Sequence, residues 1–232
     1  MKIGCPKEIK PQEFRVGMTP NAAREAVAHN HQVLIQSGAG AGSGFGDDAY
    51  VAAGAQVVAT ATEIFASADM IVKVKEPQAV ERAMLREEQV LFTYLHLAPD
   101  PDQTRDLLAS GCTAIAYETV TDAAGGLPLL APMSEVAGRM ATQVGARYLQ
   151  KDQGGKGILL SGVPGVRRAR VTVVGAGTAR LNTAMIAVGM GAEATMRDVN
   201  MHRLQYIDDI WGNSVNTLYS NPHNIREAVE RA

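Results

Sequence analysis

Little in this chain points toward a metal, a membrane or a nucleic acid. Cysteine is scarce: Cys5 and Cys112 are the only two among 232 residues. They stand alone, without CxxC or Cys/His spacing, which argues against a zinc site or a disulfide scaffold and fits a reducing compartment, with both thiols expected to be buried. No apolar run approaches the ~18 residues of a membrane span, and the opening MKIGCPKEIK lacks the apolar core of a signal peptide. Neither sign of charge dominates, the formal net charge being -2. A broad pull toward nucleic acid or anionic lipid is therefore missing, and the pair Arg167–Arg168 is too short to form a basic tract. These absences leave a soluble, cytoplasmic protein with a small-molecule partner and no metal as the expectation.

Glycine, by contrast, is abundant at 23 residues, beside 46% hydrophobic, 20% charged and 5% aromatic residues. That is the balance of an α/β protein with many tight strand-to-helix turns. The length admits one large domain or two modest ones, and two is the better reading. Short β-branched runs alternate with helical patterns, the signature of parallel sheets with crossover helices. A first domain over 1–130 is expected to hold strands at 2–4, 32–36, 56–58, 70–75, 90–94 and 113–118. Helix starts are marked by Thr19-Pro20, by Asp47-Asp48 and by Asp100-Pro101-Asp102. Gly125-Gly126 and two prolines then interrupt the pattern before a connecting helix at about 134–151. A second domain over 131–232 reads βαβαβα, with strands at 170–174, 193–198 and 215–219 and helices at 178–189, 201–211 and 221–231.

Within that second domain Val171-Thr172-Val173-Val174 runs into Gly175-Ala176-Gly177 and then into a helix, the context a dinucleotide fingerprint requires. Gly175 permits the tight turn, and Gly177 lets a pyrophosphate approach the N–H groups at the helix start. An acid is wanted about 20 residues on to accept bonds from ribose hydroxyls, and Asp198, ending the next strand, falls there. The third position of the fingerprint departs from glycine. Arg180 stands where the helix should pack closely on the strand, and it either props the helix away or swings outward toward the phosphates. Arg197, at an expected buried strand position, is a second irregularity.

Three residues stand out in the first domain. Arg15, in Glu13-Phe14-Arg15-Val16, is suited either to a surface salt bridge or to a bidentate clamp on a substrate carboxylate. Lys75 ends an apolar strand just before Glu76-Pro77, and ligands in open α/β sheets gather at the carboxyl ends of strands. His96 ends the next strand at the same edge. A lone histidine in an apolar setting can be a satisfied core residue, but beside a strand-end lysine it becomes a candidate proton carrier near neutral pH. Arg15, Lys75 and His96 are expected to converge on one pocket. No nucleophile elbow, phosphate-binding loop or metal-ligand spacing competes with this reading.

Seven runs carry a family resemblance: Pro6-Lys7-Glu8, Glu13-Phe14-Arg15-Val16, Val72-Lys73-Val74-Lys75-Glu76-Pro77, Tyr94-Leu95-His96-Leu97-Ala98, Ala116-Tyr117-Glu118-Thr119, Pro132-Met133-Ser134 and Gly162-Val163-Pro164-Gly165-Val166. In this order they resemble the L-alanine dehydrogenases, and the resemblance covers the whole chain. The histidine in Leu95-His96-Leu97 separates it from the related nucleotide-binding subunits of proton-translocating transhydrogenases. The resemblance implies reversible, NAD-dependent oxidative deamination of L-alanine to pyruvate and ammonia. It implies Arg15 on the substrate carboxylate, Lys75 orienting the substrate and polarising its carbonyl or imine, and His96 as general acid/base, with Met133 lining the pocket. Toward NAD it implies Ser134 and Ser220, Thr178 and Ala179 at the pyrophosphate beside Gly175 and Gly177, and Asp198 and Arg203 around the adenosine. It also implies a homo-oligomer, since family members form hexamers.

The fold class that follows is α/β with two doubly wound domains, the N-terminal one catalytic and the C-terminal one an incomplete Rossmann domain that binds NAD. The family pattern continues past the end of this chain, so the expectation is a truncated enzyme with one mononucleotide half. Strand 171–174 would then be an edge that invites aggregation or a partner, and turnover would be impaired. Two other functions stay open: a transhydrogenase-type NAD(H)-binding subunit, and a non-catalytic pyruvate-binding or assembly relative.

Overall fold

The alternation of apolar residues within single strands decides how the first sheet is covered. A computed structural model describes residues 1–231, which divide into two compact units, Met1–Leu129 and the chain from Leu130 onward. In the first unit β1 (Lys2–Cys5), α1 (Pro20–Ala28), β2 (Gln32–Gln36), α2 (Asp47–Ala52), β3 (Gln56–Val58), α3 (Ala61–Ser67), β4 (Met70–Val72), α4 (Ala79–Arg82), β5 (Val90–Thr93), α5 (Pro101–Ser110) and β6 (Thr113–Ala116) follow one another. The six strands form one parallel sheet in the order β3-β2-β1-β4-β5-β6. In β2 the buried Val33 and Ile35 join Ile3, Cys5 and Tyr50 in one core cluster, whereas Leu34 between them joins Ile64, Phe65, Ile71 and Leu91 in another. Successive side chains point to opposite faces, so both faces are covered and the sheet is doubly wound.

Helix starts follow the expected signals. Thr19 Oγ1 accepts the Ala22 N–H at 3.3 Å, and Asp100 Oδ1 accepts that of Gln103 at 2.9 Å, each with proline opening the helix. Asp47 at the head of α2 accepts the Ser37 hydroxyl and the Gly38 N–H at 2.6 and 2.8 Å, tying that helix to the end of β2.

The expected fourth strand over 70–75 is shorter in the structure and stops at Val72. Beyond it bonds to β5 continue, from the Lys73 N–H to the Phe92 carbonyl at 3.1 Å and from the Tyr94 N–H to the Val74 carbonyl at 3.2 Å, while on the other side the Val74 N–H donates at 2.7 Å to Glu8 Oε1. Lys73, fully buried, pairs with Glu8 at 3.0 Å and with Glu81 at 2.8 Å, both carboxylates also buried. A buried ammonium needs such partners, and Glu8 takes the side of the chain that β1 pairs with at Met70 and Ile71. The expected last strand over 113–118 likewise ends at Ala116 and passes into a single helical turn, Tyr117–Thr119. Cys5 is buried as expected, but Cys112 is only half-buried, since it follows the helix-ending Gly111 at the edge of the core.

The second unit opens with α6 (Ala131–Tyr148), which starts three residues before the expected helix because Pro132 fits its first turn. Then come β7 (Arg170–Val174), α7 (Thr178–Gly189), β8 (Glu193–Asp198), α8 (Met201–Trp211), β9 (Val215–Tyr219) and α9 (Pro222–Arg231). The strands are parallel in the order β7-β8-β9, and among the described residues β7 has a strand neighbour on one side only. The core is built from small residues, Ala184, Ala187, Ala192 and Ala194, around Val173, Met196 and Ile207. α6 crosses α7 at close range, and a Cβ on Gly138 would run into the Ala179 carbonyl and the Asn182 side chain. Glycine is therefore required at 138 for that contact.

Candidate active site

At the carboxyl end of β5 the chain turns sharply at His96, whose φ of 48° lies in the left-handed region. A non-glycine residue held there is uncommon and needs support from its surroundings. Glu118, just beyond β6 on the adjacent strand, supplies it. Its Oε1 accepts the His96 N–H at 2.7 Å and the Leu95 N–H at 3.1 Å, and lies 3.8 Å from His96 Nδ1. The imidazole, half-exposed, stacks on Tyr94 with centroids 5.9 Å apart and planes 5° from parallel. Tyr94 in turn meets Tyr117 edge-on at 5.0 Å and anchors its hydroxyl on the Leu129 carbonyl at 2.5 Å. An aromatic stack and a carboxylate therefore fix the ring without burying it.

Arg15 and Lys75 share neighbours with this ring. The Arg15 guanidinium forms a two-point pair with Glu13, Nε to Oε1 at 2.8 Å and Nη2 to Oε2 at 2.6 Å. Hydrogen bonding from Arg15 holds the Glu13 carboxyl below its ordinary value of 4.5, with the nearby positive charge of Lys75 adding to the effect. Burial pushes the Tyr94 hydroxyl up while the Arg15 charge pulls it down. Glu13 thus feels the charge of both cations, Tyr94 feels that of Arg15 while it stacks on His96, and the three expected residues follow β1, β4 and β5 at their carboxyl ends. Lys75 leaves β4 after the buried triad, its N–H near Glu8 at 3.4 Å and its carbonyl held by the Thr93 hydroxyl at 2.8 Å. Its ammonium has no hydrogen-bond or ion-pair partner among the described residues, unlike Lys10, which pairs with Glu76.

Sequence reasoning quoted Glu8, Glu13, Tyr94 and Glu118 without giving them roles. The signal for two of them was available: Tyr94 and His96 are two apart at a strand end, and Glu118 lies just past the end of the neighbouring strand. For Glu8 and Glu13 no local pattern announces a partner distant in sequence.

In the second unit the glycine turn is braced from three sides. Gly175, at φ 103°, donates its N–H to the Arg197 carbonyl at 2.5 Å. Asp198 Oδ2 accepts the Ala176 N–H at 2.6 Å and Oδ1 accepts that of Asn200 at 2.7 Å. Arg203 donates from Nη2 to the Ala176 carbonyl at 2.9 Å. Ser220, just beyond β9, bonds through its N–H to the Asp198 carbonyl at 3.0 Å. Ser134 stands one helical turn before Gly138, on the side of α6 that meets α7, and Met133 precedes it. The N–H groups of Gly177, Thr178, Ala179 and Arg180 have no acceptor among the described residues. Four aligned donors at a helix start are what an anionic group requires, and Asp198 at the end of the next strand is within reach of the same turn. These residues fit the diphosphate and ribose of a dinucleotide.

Arg180 does not separate α7 from β7. It is exposed, and its side chain folds back over the turn: a Cβ on Gly175 would lie 2.6 Å from its Cδ and 2.7 Å from its Nε. Arg197 is 5% exposed, with Nε and Nη1 buried and unpartnered. It lines a polar cavity with Thr172, Thr195 and Asn216 on the sheet face away from Asp198. Another cavity of this unit lies between α6 and β7, beside Leu149, Leu160 and Val171, and none of the expected site residues lines it.

Residues 4–137, more than half of the chain, match the family described as "Alanine dehydrogenase/PNT, N-terminal domain". The chain belongs to the alanine dehydrogenase/PNT family. Residues 141–232 match the family's C-terminal domain. Among curated relatives in the alanine dehydrogenase/PNT family, the alanine dehydrogenase of Methanococcus maripaludis is 56% identical over 100% of this chain and 62% of its own length. That of Bacillus subtilis is 52% identical over 100% of this chain and 61% of its own. A solved L-alanine dehydrogenase aligns with a TM-score of 0.93 at 49% identity, covering 100% of this chain and 64% of that one. A transhydrogenase from Sinorhizobium meliloti, 23% identical, shares the fold at a TM-score of 0.79 over 98% of this chain and 66% of its own. The chain thus spans about 62% of the length of the curated relatives it matches.

Proposed function

We propose that the chain carries the substrate and proton-transfer residues of an NAD-dependent L-alanine dehydrogenase, which converts L-alanine to pyruvate and ammonia and back. The observation that carries this reading is His96, strained, aromatic-stacked and half-exposed, beside two cations at one sheet edge. An α-keto acid presents a carboxylate and an adjacent carbonyl. Arg15, oriented by Glu13, suits the carboxylate, and the Lys75 ammonium suits the carbonyl or imine oxygen or nitrogen beside it. With Nδ1 directed toward Glu118, the other ring nitrogen of His96 is left to take or return the proton. Met133 is proposed to line this pocket. The first domain, 1–130, is then the substrate domain, and 131–232 the cofactor domain.

The cofactor proposed for the glycine turn is NAD, which when bound accepts the substrate's hydride. Gly175, Gly177, Thr178 and Ala179 would face its diphosphate, Asp198 and Arg203 its adenosine end, and Ser134 and Ser220 its flanks. A carboxylate at 198 disfavours a 2′-phosphate and so favours NAD over NADP. A cytoplasmic homo-oligomer is part of the same proposal, and no helix among the described residues is long and apolar enough to cross a membrane. The test is NADH oxidation by the purified chain with pyruvate and ammonia supplied together. Oxidation that requires both supports the reading, whereas pyruvate that neither stabilises the protein to heat nor consumes NADH contradicts it.

A further inference from the structure

Arg180 occupies the third position of the glycine turn, where a dinucleotide fingerprint carries glycine so that helix and strand can pack closely. In this chain the packing does not depend on that position. Gly138 admits α7 against α6, and the buried Ala184 and Ala187 seat α7 on the sheet, while Arg180 leaves the helix on its solvent side. Its guanidinium carbon would be 3.0 Å from a Cβ on Gly175, and its Nη1 3.7 Å from one on Gly177, so the charge sits above the turn itself.

Arg180 is not paired with the acceptors of the turn, which are engaged by other donors. The Asp198 carboxylate is occupied by the N–H groups of Ala176 and Asn200, and the Ala176 carbonyl by Arg203. Arg180 makes no ion pair or hydrogen bond to a described residue. Below it lie the four N–H groups from Gly177 to Arg180, equally without acceptors. Five donor groups therefore stand at one turn without an acceptor, and the side chain lying over it is long and exposed.

We propose that Arg180 is a coenzyme-binding residue that pairs with the diphosphate from the third position of the turn, supplying charge where the fingerprint supplies only backbone. The proposal rests on the NAD reading above. It implies that affinity for the diphosphate is held largely by a charge-assisted contact and weakens as salt rises.

The experiment is calorimetric titration of the full chain with ADP-ribose and, separately, with adenosine, at low and high salt, for the parent, Arg180→Gln and Arg180→Gly, each checked for folding by circular dichroism. ADP-ribose affinity is expected to fall roughly ten- to a hundred-fold in both variants, with adenosine affinity unchanged and the difference shrinking at high salt. Arg180→Lys is expected to recover part of the loss, because a point charge lacks the two-pronged geometry. Should either variant bind ADP-ribose as tightly as the parent or more tightly, Arg180 is a bystander or an obstruction and the proposal is overturned. A parent that binds neither ADP-ribose nor adenosine overturns the NAD reading itself, and Arg180's role with it.

Discussion

His96 combines three properties that rarely coincide in a structural histidine: a left-handed backbone, a half-exposed ring and a carboxylate that holds its own N–H. Replacing it with alanine is expected to lower kcat by about 10²- to 10⁴-fold, the contribution of a placed acid/base group, with little change in thermal stability. Glu118→Ala, which removes the acceptor of the Leu95 and His96 N–H groups, is expected to lower kcat by releasing the left-handed turn at His96, and an unchanged kcat would mean that the turn holds without it. Cys5 makes a contrasting case, since burial pushes its thiol up to about 12. A thiol raised in this way stays protonated and unreactive through neutral pH. Iodoacetamide at pH 8 is expected to modify Cys112 in the native protein and both cysteines only after unfolding, as counted by mass spectrometry.

At the scale of elements, the end of β4 is shaped by charge. Lys73 lies in the sequence Met70-Ile71-Val72-Lys73-Val74-Lys75, whose alternation gives no hint that the first lysine is wholly buried and the second is not. Lys73→Met would leave Glu8 and Glu81 buried without a counter-charge, and a loss of about 3–5 kcal/mol in unfolding free energy is expected. Because Glu8 also accepts the Val74 and Lys75 N–H groups, the same change should displace Lys75 and raise KM for pyruvate. Arg197 is the opposite case: a buried guanidinium with two unpartnered nitrogens weakens β8. Arg197→Leu is expected to stabilise the chain by about 1–4 kcal/mol in chemical denaturation, and a destabilised variant would mean that this cation has a partner it needs. The second unit's elements were readable almost residue by residue, since β7 runs into Gly175, β8 ends on Asp198, and α8 and α9 open on the capping side chains of Asn200 and Asn221. In the first unit β2 and β3 were equally readable, but the ends of β4 and β6 were not, because a carboxylate distant in sequence, Glu8, takes the Val74 N–H and a helical turn at Tyr117–Thr119 follows β6.

For the molecule as a whole, composition and periodicity carried the parallel α/β architecture, whereas the strand order β3-β2-β1-β4-β5-β6 was not legible in them. The candidate site was legible where function is written in residue type at a strand end, as with Lys75 and His96, and in the glycine turn. It was illegible where function depends on who holds whom, as with Glu13 on Arg15 and Asp198 on Ala176. Family membership joins these parts in one chain, and the central claim is that Arg15, Lys75 and His96 act on one small anion. Calorimetric titration with pyruvate tests it most directly, using the parent chain, Arg15→Met and Lys75→Met. The expected result is one pyruvate bound per chain, with affinity reduced at least roughly tenfold by either substitution, as for the loss of a charged hydrogen bond. Equal affinity in all three proteins would contradict it.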